Sequence, residues 1–369
     1  GIPLLPPEVT RGGGRVQAVI SSDDAIIVAW EDRRRDQPRS IYAQKINWEG
    51  ELLWAEGGVR CADMDYRQGR PQLCSDGNGG AIIAYRYRNE DDYYNIHMQR
   101  IDWHGTRLWG EEGFQLTRNP FDEDLESISS DGEGGAVLVW EVQDLETKDL
   151  WVQRVNENHE LLWGENRPLC DEIGSQYNPV IAQHEEGYIV VWQDERIENA
   201  GYIFGQFINN DGSFRWYRWQ NGYLISGWEN NAFHPAVTIG EDGSIWIAWE
   251  DYRLGREADL YLQKLSAQIN NMGDPVILFR EDNHPIYDGI PVCSADGEQQ
   301  YTEIISDGNN GIWLVWMDSR LYIGSDIYAT HLTSNGIPFD DWSENGRVVC
   351  QATHEQITPK VVLIDPSGS

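Results

Sequence analysis

An all-β chain, folded as a β-propeller of six four-stranded repeats, is what the 369 residues predict, and three observations carry that expectation. An apolar run closed by an aromatic recurs at Trp30, Tyr85, Trp140, Trp192, Trp249 and Trp316, with 52 to 67 residues between copies. Other marks recur in constant order around it, which is the signature of a repeat architecture. No copy holds a long stretch of helical period, whereas each run is nearly continuous in apolar residues, as in Ala25 to Trp30. Such a strand needs cover on both faces, and sheets stacked around an axis provide it.

Within one copy the elements follow in order. A first strand reads NPVIA (178–182) or HPAVT (234–238). A glycine-rich turn follows, DGNGG (76–80), DGEGG (131–135) or DGNNG (307–311), where glycines supply positive φ in a tight connection. The second strand is the apolar run. It ends in most copies on Asp-x-Arg: Asp32/Arg34, Asp194/Arg196, Asp251/Arg253 and Asp318/Arg320. Residues two apart on a strand share a face, so this pattern reads as an ion pair tying the strand end to a neighbouring loop. The third strand carries Gln44, Gln99, Gln153, Gln206 and Gln263, with Thr330 in the sixth copy. After a turn come Trp54, Trp109, Trp163 and Trp216. The fourth strand resembles RPLC (167–170), IPVC (290–293) and RVVC (347–350). The repeats run approximately 16–61, 70–116, 125–170, 178–225, 234–293 and 301–350, in one domain over 1–369. GIPLL (1–5) resembles a fourth strand and TPKVVLI (358–364) a first strand, so both are expected to be closing strands. Six blades are favoured because six second strands are present. Seven are the alternative if the terminal pieces belong to a further blade.

The net charge of −33, from 61 acidic and 28 basic side chains, repels nucleic acid and anionic membrane. No run of about 20 apolar residues exists to span a bilayer. Of the five cysteines, Cys61, Cys170, Cys293 and Cys350 share one repeat position, and symmetry holds them beyond disulfide reach, so they read as small apolar side chains. Cys74 lies on an inner strand.

No catalytic constellation emerges from the motifs. G-x-S-x-G, H-E-x-x-H and a glycine-rich phosphate loop are all absent, and the eight histidines lack metal-ligand spacing. No cofactor is expected. Calcium in the Asp-Gly turns is the one metal considered, although these lack the ligand order of an EF-hand. Exposed aromatics beside polar groups suit sugars, which selects Trp216, Tyr217 and Trp219 in SFRWYRW (213–219). Behind them stand Tyr87, Tyr93 and Tyr94 in AYRYRNEDDYYN (84–95). The fifth copy carries an insertion, Asp274 to Asp288. Its Ile277, Leu278, Phe279 and Ile286 would be apolar residues on an exposed loop, a surface for a protein partner.

The consensus W-x-D-x-R…I-Y-A-Q-x-I…G…L-W, preceded by D-G-x-G-G, resembles a repeat of secreted or cell-surface proteins of Bacteroidota-like bacteria, many of which bear a type IX sorting tail. The tryptophans and the Tyr-x-Gln strand are also similar to six-bladed fucose-binding lectins, in which Arg, an acidic residue and an aromatic hold sugar between blades. The Arg-Ile-Pro and S-x-D-x-G-x-T-W motifs of bacterial sialidases are missing, which counts against that activity. The resemblance implies a secreted or cell-surface bacterial propeller and is tied to no one activity; with no catalytic motif in the chain, the expected function is a non-catalytic one, presenting a protein-interaction or assembly surface. Lectin-like glycan binding is the alternative and glycoside hydrolysis the third reading.

Overall fold

The computed structural model describes residues 13–34, 38–144, 146–165, 167–197, 200–228, 231–255, 257–321 and 324–362. Among them there is no helix; the chain is all-β. It divides into two compact units, Gly1–Asp171 and Glu172–Ser369.

The first unit holds three antiparallel sheets of four strands. They are β1 (Gly13–Ile20), β2 (Ile26–Asp32), β3 (Ser40–Ile46) and β4 (Val59–Arg60); β5 (Gln68–Ser75), β6 (Ala81–Arg88), β7 (Tyr94–Ile101) and β8 (Phe114–Gln115); and β9 (Asp122–Ser130), β10 (Ala136–Gln143), β11 (Lys148–Val155) and β12 (Arg167–Cys170). In each the strands pair in sequence order. β1 lies beside β5, and β5 beside β9.

The second unit repeats the plan. Its sheets are β13 (Gln176–His184), β14 (Gly187–Ile197), β15 (Ala200–Asn209) and β16 (Tyr223–Leu224); then β17 (Ala232–Ile239), β18 (Ser244–Asp251), β19 (Asp259–Ile269) and β20 (Pro275–Ile277). A hairpin, β21 (Arg280–Glu281) and β22 (His284–Pro285), leads to β23 (Ile290–Cys293), which also pairs with β19. The last sheet is β24 (Gln299–Ser306), β25 (Ile312–Asp318), β26 (Asp326–Leu332) and β27 (Arg347–Cys350). β17 lies between β13 and β24.

The cores lie between consecutive sheets, which explains why second strands are apolar on both faces. On β6, Ile83 and Tyr85 pack with Ile27, Ala29 and Trp54, whereas Ile82 and Ala84 pack with Leu138 and Trp140. Trp249 packs towards β14, and its neighbours Trp246 and Ala248 towards β25. The closing aromatics are buried throughout: Trp30, Tyr85, Trp140, Trp192, Trp249 and Trp316.

The other marks have polar explanations. Each recurring Gln sits buried on the third strand and closes the connection to the fourth. Gln44 donates to Ala55 O at 2.9 Å and accepts from the Trp54 amide at 3.0 Å. Gln99 does the same with Gly110 O and the Trp109 amide. Buried polar groups must be paired, and this arrangement satisfies both ends of the side chain. The Asp-x-Arg ion pairs form as expected, with Arg Nε donating at 2.8 Å in Asp194/Arg196, Asp251/Arg253 and Asp318/Arg320. The same arginines reach loop carbonyls at Asn221, Asp288 and Asn345. The tryptophan indole donates to the same aspartate: Trp192 to Asp194 at 2.9 Å, and Trp316 to Asp318 at 2.8 Å.

In the glycine-rich turns, Asp131 accepts from the amides of Glu133 and Gly135 and pairs with Arg154; Asp76 and Asp307 do likewise with Arg100 and His331. The carboxylates considered as calcium ligands are thus engaged by backbone donors and by an arginine or histidine side chain. No metal-ligating group of three or more His, Cys, Asp or Glu occurs among the described residues.

Two expectations are revised, and a third, the closing strand GIPLL (1–5), lies outside the described residues. Thr358–Val362 forms no strand; its contact is Lys360 with Glu303. The insertion 274–288 is not an exposed irregular loop. β20 extends the edge of its sheet by pairing with Leu265 to Ile269, and β23 takes the other half of β19. All five thiols are free, four of them buried and Cys350 exposed.

Candidate functional site

The functional geometry grows from one irregularity in each first strand. Two residues of that strand face the closing aromatic of the second, so the ladder shifts between Tyr177 and Val180, between Phe233 and Ala236, and between Gln300 and Glu303. The pairs involved are Asn178-Pro179, His234-Pro235 and Tyr301-Thr302. Proline has no N–H for the ladder and belongs at a bulge. The leading residue of each pair is left-handed, with φ of 50° at Asn178, 48° at His234 and 54° at Tyr301. Non-glycine residues are uncommon there, and such backbone is retained at functional sites. In the first unit Arg15 and Arg70 occupy the same position, at φ 42° and 52°.

The residue after the closing aromatic supports these bulges. Glu250 is buried, with 1% of its side chain exposed, while His234 is 49% exposed. Glu250 Oε2 accepts from His234 Nδ1 at 3.0 Å, and Oε1 accepts from the backbone amide of Tyr301 at 2.9 Å. A carboxylate only accepts, so Nδ1 carries the proton and Nε2 is the ring's proton-exchanging atom. The hydrogen bond donated to Glu250 raises the His234 pKa, outweighing the opposing effect of burial. The exposed Tyr301 ring lies 6.1 Å from the imidazole, tilted by 35°. One buried carboxylate therefore orients an imidazole and holds the backbone of a tyrosine on the adjacent first strand, which brings two groups able to exchange protons to one place.

The first unit uses Glu31 in the same way: it accepts from the Arg70 amide at 2.9 Å and from Arg39 at 2.6 Å. In place of a histidine it has a charged cluster. Asp124 pairs with Arg70 and, at 3.1 Å, with Arg86; Glu141 pairs with Lys148. Glu126 lies 3.4 Å from Arg70. Burial, Glu141 and Asp124 push the Glu126 carboxyl up to about 8. Arg86, Tyr94, Asp124, Glu141 and Lys148 line a cleft of about 190 Å³.

The residues singled out in the sequence divide. Trp216 has no exposure and belongs to the core with Ile189, Phe207 and Ile225, because the repeat position it fills is a packing position. Tyr87 is buried against His97. Neither reaches a ligand. Tyr217, at 56%, and Trp219, at 38%, are exposed, as is Tyr93. Tyr94 lies beneath Arg86, 4.3 Å from ring centre to guanidinium, in the first unit's cleft. In the insertion, Ile277 and Phe279 are buried, the latter edge-on to Trp246 at 5.7 Å; Ile286 is partly buried, and Leu278 is exposed. The apolar partner surface expected there is mostly core.

His234, Glu250, Tyr301 and Glu126 were not singled out from the sequence. A signal existed: at the position that leads the bulge, the copies read Arg15, Arg70, Leu125, Asn178, His234 and Tyr301, followed in three copies by a proline, Pro71, Pro179 and Pro235.

No protein-family model and no curated protein matches the sequence. Solved structures do. An ulvan lyase, described as a new family of polysaccharide lyase, superposes with a TM-score of 0.53 at 11% identity, over 92% of this chain and 85% of its own; a second structure of that enzyme holds a bound saccharide. A Hadza microbial sialidase gives 0.49 at 9% identity, covering 85% of this chain and 64% of its own. An endo-arabinase from Bacteroides thetaiotaomicron gives 0.39 at 14%, covering 80% and 98%. At these identities the likeness is one of fold. The expectation of a non-catalytic assembly module is corrected: solved structures of a polysaccharide lyase superpose on this chain with TM-scores of 0.52 and 0.53, and the loop meant to carry the partner buries Ile277 and Phe279.

Proposed function

We propose that this chain is a polysaccharide-cleaving enzyme whose proton-transfer groups are His234 and Tyr301, with Glu250 as the positioning residue. The observation that carries the reading is the buried carboxylate of Glu250 shared between the His234 imidazole and the Tyr301 amide. An imidazole and a phenol suit β-elimination on a uronate-containing chain better than hydrolysis by two carboxylates. His234 Nε2 removes the proton from the carbon bearing the carboxylate. The adjacent carbon–oxygen bond breaks, its electron pair leaves with the glycosidic oxygen, and the Tyr301 hydroxyl protonates that oxygen. An unsaturated sugar and a new chain end result. The lyase whose fold this chain shares supports the same substrate class.

A second reading rests on Glu126. A carboxyl pushed up to about 8 beside the charged Asp124 and Glu141 has the character of a general acid, as glycoside hydrolysis requires. We further propose that the six sheets are blades of one six-bladed propeller, and that the enzyme works outside the cell, where polysaccharide is met.

The test is incubation with ulvan, polygalacturonate, alginate and arabinan, with unsaturated product followed by ultraviolet absorbance and new reducing ends counted separately. The expected result is absorbing product from a uronate-containing polymer. His234→Ala and Tyr301→Phe should lower kcat by about 10²–10⁴-fold with KM little changed. Reducing ends without the chromophore, abolished by Glu126→Gln and untouched by His234→Ala, would replace elimination with hydrolysis. No cleavage of any polymer sinks both.

A further inference from the structure

The second unit carries an aromatic shelf far from His234. β17 starts at the His234 end of its sheet and β19 runs from that end to Ile269, so the turn after β19 lies at the opposite end. Eight residues of strand span roughly 25 Å. At that far end the turn 270–274 meets the loop that follows β15. Trp219 Nε1 donates to Asp274 Oδ1 at 3.0 Å, Arg218 Nη1 lies 3.4 Å from the same oxygen, and Arg218 also donates to Met272 O. Gly273, with φ of 83°, lets this contact close: a Cβ there would stand 2.9 Å from the Tyr217 hydroxyl and 2.9 Å from Arg218 Cδ. Tyr223 packs edge-on to Trp219 at 5.6 Å. Burial, Asp274 and Tyr287 push its hydroxyl up to about 12.

The result is a cleft of about 130 Å³ lined by Tyr223, Asn270, Asp274, Arg280 and Tyr287, with Trp219 joined to it through Asp274. Tyr217, Trp219 and Tyr287 (60% exposed) keep ring surface in solvent. Exposed rings of this kind are normally minimised. Here Trp219 is anchored by its hydrogen bond to Asp274, Tyr217 lies against Gly273 and Tyr287 lines the cleft, beside a carboxylate, an amide and two guanidinium groups. A pyranose ring offers apolar C–H faces bordered by hydroxyls that both donate and accept. Stacking on Trp219 and Tyr287 with hydroxyls towards Asp274, Asn270 and Arg280 satisfies both.

We propose that Trp219, Tyr287 and Tyr217 form a non-catalytic saccharide-binding site that holds polysaccharide at the end of the sheets away from His234. The site gathers the aromatic cluster of the fourth repeat and the insertion of the fifth into one surface. It shares the substrate class proposed above but none of the residues. Its failure is therefore distinguishable from failure of the catalytic reading.

The experiment is native affinity electrophoresis through gels containing ulvan, polygalacturonate or arabinan, with binding constants from the dependence of mobility on polymer concentration. The proteins are the full chain, the double variant Trp219→Ala/Tyr287→Ala, and His234→Ala. Circular dichroism and melting temperature check that each is folded, and Tyr287→Ala alone serves if the double variant is not. The expected result is retardation of the wild type on at least one polymer. The double variant should bind at least about tenfold more weakly, and His234→Ala should be retarded as the wild type is. The inference is overturned if the wild type migrates freely in every gel, if the aromatic variants are retarded unchanged, or if His234→Ala alone abolishes retardation.

Discussion

At the scale of residues, two carboxylates carry the pH behaviour. Glu250 raises the His234 pKa through the hydrogen bond to Nδ1. A base must be unprotonated, so the rate of the wild type rises as pH passes up through that raised value. Glu250→Gln removes the charge, lowers the His234 pKa, and should move the acid limb of the kcat/KM profile to lower pH while reducing its plateau. An unmoved limb would show that the titration belongs to another group. Glu126 is the reverse of the usual paired carboxylate. Its folded value, pushed up to about 8, exceeds its ordinary 4.5. The folded state therefore binds that proton more tightly than the unfolded one. The stability this contributes is fully present below pH 4.5 and is lost as pH rises to about 8. Glu126→Gln lacks this loss, so its melting temperature relative to wild type should improve between pH 5 and pH 9. The gain corresponds to about 1–3 kcal/mol. A difference that does not vary with pH would contradict the environment assigned to Glu126.

At the scale of elements, the fourth strand is positioned by a glycine beneath Trp30, Trp192, Trp249 and Trp316. Gly222 has φ of 97°, and a Cβ there would enter the Trp192 ring; Gly289 and Gly346 stand likewise under Trp249 and Trp316. Gly222→Ala combines left-handed strain with overpacking and should cost about 2–4 kcal/mol, read from chemical denaturation. Trp140→Ala removes a fully buried side chain and should cost about 3–5 kcal/mol. An unchanged midpoint in either variant would break the register described here. These elements were legible in the sequence because the second strand's apolar period, the buried Gln and the Asp-x-Arg pair answer local demands that recur in most copies. The insertion was misread because hydrophobicity alone does not distinguish an exposed apolar loop from an added edge strand. Ile277 and Phe279 have a core to enter beside Leu265 and Trp246, and that core is built from residues far away in sequence.

At the scale of the whole molecule, five thiols report on integrity. Burial raises the pKa of Cys61 and Cys74 and pushes Cys293 up to about 11, which keeps them unreactive in the native protein. Alkylation without reductant should label Cys350 rapidly, leave Cys61, Cys74, Cys170 and Cys293 to denaturant, and add five adducts in all. A mass short by two would reveal a disulfide. The letters alone were enough to announce an all-β chain of recurring four-stranded sheets, because strand period, turn chemistry and repeat spacing are short-range properties. The tertiary structure alone decided which residues meet. His234, Glu250 and Tyr301 come from three strands in two sheets and converge because left-handed bulges turn two neighbouring first strands towards one carboxylate. Trp216 and Trp219, three residues apart in an aromatic-rich stretch, part company because packing against Ile189 and Ile225 takes one inward, while Asp274 holds the other at the surface. Contacts of that kind depend on distances in space, which no local pattern encodes.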